Sequence, residues 1–223
     1  MNVSLRPMPD RIARLPRDHR GFPVPWFVQW FKDGKASDFG VGEPDFRIAD
    51  QRKLARAIKH NLCWTCGDPL GRHRVFVIGP MCAVNRTISE PPSHRECAEF
   101  SARSCPFLSH PRMRRNEKDL PDARIPPGGI GIARNPGAIC LWECKEYETF
   151  RAHVGHDGVL FSLGEPTRVD WYANGREASR REVLDSIMSG LPALEKVARL
   201  EGPDALAALD AYKERVIPLL PAA

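Results

Sequence analysis

Hydrophobic positions along this chain change period several times, and the changes mark out its elements. Residues 22–31, Phe-Pro-Val-Pro-Trp-Phe-Val-Gln-Trp-Phe, are aromatic and β-branched and run into Lys32-Asp33-Gly34-Lys35, which predicts a strand entering a hairpin. Between 49 and 61, Leu54, Ala55 and Ile58 recur at helical spacing with basic residues between them, predicting a short helix. Arg74-Val75-Phe76-Val77-Ile78 reads as a strand stopped by Gly79-Pro80. From 139 to 172 the pattern predicts several short strands, with turns at Asp157-Gly158, Gly164-Glu165-Pro166 and Asn174-Gly175. The remainder is helical. Ser179 and Glu182 form a capping box ahead of Val183, Leu184, Ile187 and Met188, in a helix expected to end at Gly190. A second helix is expected from about 192 to 201, and a third from Pro203-Asp204 through Leu206, Leu209, Tyr212 and Val216 to Pro218. At the front, arginines 6, 11, 14, 17 and 20 punctuate a polar stretch in which Pro16 argues for an extended arm.

These elements predict an α+β fold, with a small antiparallel sheet and three C-terminal helices. Residues 1–115 are expected to hold the hairpin, the short helix and a cysteine-bearing module; 116–137, rich in Pro and Gly, to form a linker or long loop; and 138–223 to hold the sheet and helices.

Composition adds bounds. The chain has 223 residues, 42% hydrophobic and 27% charged, enough for one large core or two small ones. No apolar run approaches the roughly 18 residues of a membrane span, and the first residues lack an apolar signal core, so a cytoplasmic protein with no membrane partner is expected. The net charge of +5 is uneven: residues 1–115 carry 20 Lys/Arg against 11 Asp/Glu, a balance of +9, and the rest carry 13 against 17, a balance of −4. A basic front half suits an acidic partner such as nucleic acid, against the plainer reading of a solvated surface.

The seven cysteines carry the chemistry. In a reducing compartment, paired cysteines more often bind metal than form disulfides. Cys63-Trp64-Thr65-Cys66-Gly67 has the form of a zinc knuckle, in which a tight turn points two thiolates at one ion and Gly67 supplies the positive φ. Ser93-His94-Arg95-Glu96-Cys97 follows, and Ser93 with Glu96 predicts a capping box that puts His94 and Cys97 in the first turn of a helix. Cys63, Cys66, His94 and Cys97 then make a closed tetrahedral set for a structural Zn2+, with Cys82 or Cys105 as substitutes for His94. A redox Cys-x-x-Cys would need a helix from the first cysteine, which Gly67-Asp68-Pro69-Leu70-Gly71 forbids; buried unliganded thiols are the other alternative.

A knuckle, a β-hairpin and a helix presenting the last two ligands resemble the treble-clef zinc fingers over residues 63–105. The resemblance implies a structural zinc and no particular activity. More loosely, Pro-Val-Pro-Trp-Phe-Val with Cys-Trp-Thr-Cys-Gly and Ser-His-Arg-Glu-Cys-Ala is similar to uncharacterised phage and actinobacterial proteins.

Other constellations are weaker. An HNH-like nuclease, built on a related metal fold, would draft His73 and Asn85, but no Asp-His or His-His pair precedes the expected hairpin. Cys140, Cys144, His153 and His156 are typed for a second zinc at unfamiliar spacing, and two core thiols is the simpler reading. Gly129-Ile130-Gly131 lacks the third glycine of a dinucleotide loop. Arg103, Arg112, Arg114 and Arg115, beside His110, form the densest basic cluster and suit phosphate contacts. Trp26, Phe27, Trp30 and Phe31 are candidates for base stacking or, more simply, for core packing. The resulting expectation is a zinc-stabilised, non-enzymatic binding protein with no catalytic residues, whose partner is nucleic acid or a nucleic-acid-handling protein. A metal-dependent hydrolase using His73, His153 or His156 and a protein-protein adaptor are the rivals.

Overall fold

A computed structural model describes residues 8–110, 113–114, 116, 118–121, 125–129 and 137–222. The fold is α+β with small antiparallel sheets. Its centre is a four-stranded sheet made of β4 (Arg74–Ile78), β6 (Ile139–Cys144), β9 (Pro166–Ala173) and β10 (Arg176–Glu177), in the order β10-β9-β6-β4. β4 and β6 pair antiparallel from Arg74↔Cys144 to Ile78↔Cys140, so the sheet draws strands from both sides of the Pro/Gly-rich stretch. Every residue of β6 is buried, because both faces of that strand are covered.

The period-2 alternation of the strands sorts their side chains between two layers. Phe76, Ile78, Cys140, Trp142 and Cys144 face the larger core, with Phe161 of β8 (Val159–Leu163) and Val183 and Ile187 of α6 (Arg180–Glu201). Val75, Ile139, Leu141 and Tyr172 face the other way, against Ala98 and Ala102 of α4 (Arg95–Ser104). The two indoles of this sheet keep their polar atoms satisfied, Trp142 Nε1 donating to Gly164 O at 3.0 Å and Trp171 Nε1 to Leu219 O at 2.8 Å, whereas the buried Nε1 atoms of Trp30 and Trp64 have no partner among the described residues. A second sheet, β5-β8-β7, adds β5 (Thr87–Ile88) and β7 (Tyr147–Arg151). The third, β2-β1-β3, joins β1 (Val28–Lys32), β2 (Lys35–Ser37) and β3 (Glu43–Ala49) near the front of the chain.

Several expectations are met in detail. Asp33 and Gly34 take φ of 52° and 74° at the β1–β2 turn, as do Asn174 and Gly175 at 52° and 70° between β9 and β10. α2 spans Gln51–His60 with Asp50 as its N-cap, and α6 opens on the Ser179/Glu182 capping box.

Others are corrected. The extended arm is instead a helical turn, α1 (Asp10–Ala13), which ends before Pro16 and buries Ile12. The aromatic strand begins only at Val28, since Pro23 and Pro25 have no N–H for a ladder. Gly190 does not stop a helix: α6 runs unbroken for 22 residues through Pro192. Gly190 instead admits a neighbour, as a Cβ there would fall 2.5 Å from Met81 Sδ of α3 (Pro80–Asn85). The third expected helix is α7 (Pro203–Val216), followed by a 3-10 turn at Ile217–Leu219. From the loop between 116 and 137, Gly129 exchanges both backbone hydrogen bonds with His156, at 2.8 and 3.0 Å. Ile130 and Gly131 lie outside the described residues.

Candidate metal centre

α2 closes on Asn61, whose left-handed backbone (φ 51°, ψ 56°) turns the chain out of the helix. Asn61 then grips the far end of the loop: Leu70 N donates to Asn61 O at 2.8 Å and Asn61 Nδ2 donates to Leu70 O at 3.1 Å. Within the loop, Gly67 N donates to Cys63 O and Cys63 N to Asp68 O, both at 2.8 Å, which folds Cys63 and Cys66 onto one side of a tight turn. Gly67 has φ +82°, and a Cβ on it would sit 2.7 Å from the Trp26 indole, so both conformation and space require glycine.

The second half is set by the central sheet. Val75 and Ser93 exchange backbone hydrogen bonds at 3.0 and 2.8 Å, which delivers His94 to the N-cap of α4 and Cys97 to its first turn. The Ser93/Glu96 capping box does not form. Ser93 Oγ shares a 2.9 Å hydrogen bond with Thr65 Oγ1 of the knuckle, and Glu96 pairs with Arg11 at 2.9 Å. The hydroxyl pair joins the two halves of the site directly. The expected hairpin between them is also replaced: β4 runs into α3, β5 pairs with β8, and the chain returns to β4 only at the Val75–Ser93 bridge.

The outcome is that ligand atoms of Cys63, Cys66, His94 and Cys97 all lie within 4.8 Å of one another. Cys63 and Cys97 are fully buried. Cys63 Sγ accepts from Cys66 N at 3.5 Å and His94 N at 3.4 Å, contacts that favour a thiolate. His94 Nε2 lies 3.0 Å from Pro69 O, and a carbonyl can only accept, so the proton belongs on Nε2. Nδ1, 3.5 Å from Cys66 Sγ, is then the ring atom with a lone pair toward the sulfurs. The donor chemistry therefore fits a thiophilic divalent cation with four protein ligands and no open position. Without a bound cation the same four groups share protons instead. Burial would raise the Cys63 thiol, yet hydrogen bonds from Cys66, Cys97 and His94 hold it far below its ordinary value. Hydrogen bonding to Cys63 and Cys66, then burial, pushes Cys97 up, and the same two sulfurs raise His94 to about 10. Crowded sulfurs share protons that a cation would displace.

Two features of this site had weak sequence signals. α1 covers it: Ile12 and Leu15 pack with Cys63, Leu70 and Cys97, while Arg11 and Arg14 reach Asp68 at 2.6 and 2.8 Å. The pairing of Ile12 and Leu15 three apart, interleaved with Arg11 and Arg14, was the available clue. Beyond the ligands, Arg95 links α4 to the central sheet through Glu143 at 3.0 Å and Asp170 at 2.6 Å.

The remaining candidate residues fall elsewhere. Cys82 belongs to α3 and packs against the main core, where burial pushes its thiol up to about 11; Cys105 ends α4. Neither joins the cluster. Cys140 and Cys144 are buried in that core, whereas His153 and His156 are exposed, and the described residues contain no second group of this kind. His73 Nδ1 lies 2.7 Å from Glu143 Oε1, and Asn85 Oδ1 accepts from Thr87 N at 3.1 Å. Of the basic cluster, Arg103 lies over the Tyr172 ring at 4.7 Å and Arg114 is exposed, while Arg112 and Arg115 lie outside the described residues. Phe27 stacks on Trp64 at 4.9 Å and Trp30 is buried edge-on to Phe39, so these two aromatics are packing residues. No protein-family model, curated protein or solved structure matches the chain.

Proposed function

We propose that this chain is a zinc-stabilised, non-enzymatic binding protein whose partner is nucleic acid or a nucleic-acid-associated protein. The closed Cys63, Cys66, His94 and Cys97 set carries the zinc part of the reading, because four soft or borderline donors leave no position for substrate. The knuckle before β4 and the helix presenting the last two ligands support a treble-clef-like module, with α3 and a single bridge where a hairpin would lie. The partner is supported by charge. α2, which leads straight into the knuckle, carries Arg52, Lys53, Arg56, Lys59 and His60 and not one carboxylate. Arg56, Lys59 and His60 are exposed there, as is Arg72 beyond the knuckle. Such an edge suits phosphates, as does the exposed side chain of Arg114.

The test has two arms. Elemental analysis of purified protein is expected to give one zinc per chain; folded, metal-free protein indifferent to a chelator would overturn the zinc reading. Fluorescence anisotropy with labelled single- and double-stranded oligonucleotides is expected to show binding at about 50 mM salt that weakens linearly in log–log form as salt rises. Absence of binding, or binding without salt dependence, would overturn the nucleic-acid reading.

A further inference from the structure

Beside the metal centre lies a half-open cleft of about 420 Å3 whose walls are Trp26 and Phe39. Trp26 is fixed from behind by the knuckle: its backbone N–H donates to Thr65 O at 2.7 Å, and Gly67 packs against its indole. At the base sits Lys53, buried to 7% exposure, 4.5 Å from the Phe39 ring centroid and 5.9 Å from that of Trp26. Lys53 Nζ donates to Val28 O at 3.0 Å and stands 4.0 Å from Asp50, which a two-contact pair with Arg52 neutralises. At the rim, Arg56 holds its guanidinium 5.8 Å from the Trp26 centroid and forms no ion pair among the described residues, and Asp38 is exposed.

We propose that this cleft binds one unpaired nucleotide of a single-stranded nucleic acid, its base stacked on Trp26 and its phosphate on Arg56. The proposal rests on the nucleic-acid reading above and narrows it to a strand form and a place. An indole held rigid by a metal knuckle loses little freedom on stacking, and every base offers it a π-face. Exposed Arg56, resting 5.8 Å from the Trp26 centroid, can swing off the ring onto the phosphate as a base takes its place, and cations outnumber acids in the lining by three to two. Asp50 is neutralised by Arg52, which leaves exposed Asp38 as the free carboxylate of the lining, able to accept from a donor on the edge of a base.

The experiment uses the full chain loaded with zinc. A 15-mer oligothymidine carrying 5-bromouracil is irradiated with the protein and the adduct mapped by mass spectrometry, in parallel with anisotropy on the same strand. The expected result is an adduct on the Trp26 peptide and about tenfold weaker binding by Arg56→Glu, a surface change that leaves zinc content unaltered. Trp26→Leu is expected to abolish the adduct; should it not fold, Arg56→Glu and the adduct map still decide. Binding of the strand with adducts only elsewhere, or undiminished in Arg56→Glu, would overturn the cleft and leave the nucleic-acid reading standing. Tighter binding of duplex than of single strand would overturn it likewise. If no oligonucleotide binds at all, both fall.

Discussion

The metal centre and the central sheet hold themselves together by opposite means. Around the sheet, Phe76, Trp142, Phe161 and Val183 are completely buried in one continuous apolar layer that runs on to Leu209 and Val216. Around the cysteines the fully buried apolar material is thinner: Ile12, Leu15 and Leu70, with two of the cysteines themselves counted in, and half-buried Met8, Phe39 and Phe100 around them. Burying apolar surface at about 25 cal/mol per Å2 can carry the first region but supplies little to the second. On the zinc reading proposed above, a single cation held by three sulfurs and an imidazole would substitute for the core that region lacks. Two parts of one small protein would then depend on different conditions, one on temperature and denaturant, the other on chelators and oxidants.

The sharpest break in the comparison is Cys97→Ser or a strong chelator. Structural zinc contributes on the order of 10 kcal/mol in small peptides, so amide exchange is expected to rise across α1, the knuckle and the start of α4 while β6 and β9 stay protected. Uniform protection after metal removal would erase the distinction. Next in size is Trp142→Ala, expected to cost about 4 kcal/mol of global stability by opening a cavity in the main core, with zinc content unchanged. Arg95→Met probes the connection between the regions: Glu143 and Asp170 lose their guanidinium, and chemical denaturation is expected to show a loss of about 2 kcal/mol. The smallest effect concerns Lys53, whose burial drives its amine down to about 8 from 10.5. Folding disfavours the charged form, so the penalty is full below pH 8 and is relieved as pH rises toward 10.5. Relative to Lys53→Met, the parent is expected to gain about 1 kcal/mol between pH 7 and pH 9, read from paired denaturation curves.

How far the residues alone could be read follows from the range of the forces involved. Local geometry was legible. Asp33-Gly34 and Asn174-Gly175 demand positive φ, Ser179 with Glu182 satisfies a helix start from within four residues, and Gly79-Pro80 ends β4 where it stands. The grouping of Cys63, Cys66, His94 and Cys97 was legible because spacing and residue type are themselves the constraint. Tertiary contact was not. Gly190 is a glycine on account of Met81, more than 100 positions away, and reads locally as a helix stop. Ser93 has a partner three residues ahead in Glu96 but takes Thr65 across the site instead. Trp26, Phe27 and Trp30 look alike in sequence, yet one lines a cleft, one stacks on Trp64 and one is sealed in a core. Nothing in a single stretch of aromatic residues distinguishes those fates, because each is decided by what folds against it.

The position of Arg95, next to His94 and in contact with β6 and β9, has a mechanical consequence. On the zinc reading proposed above, loading or removing the cation would shift the first turn of α4, and Arg95 would carry that shift to the two strands it is anchored on. The α4-facing side of the sheet would then act as a strain gauge for the metal, with the signals of Glu143 and Asp170 registering it at residues that never touch it.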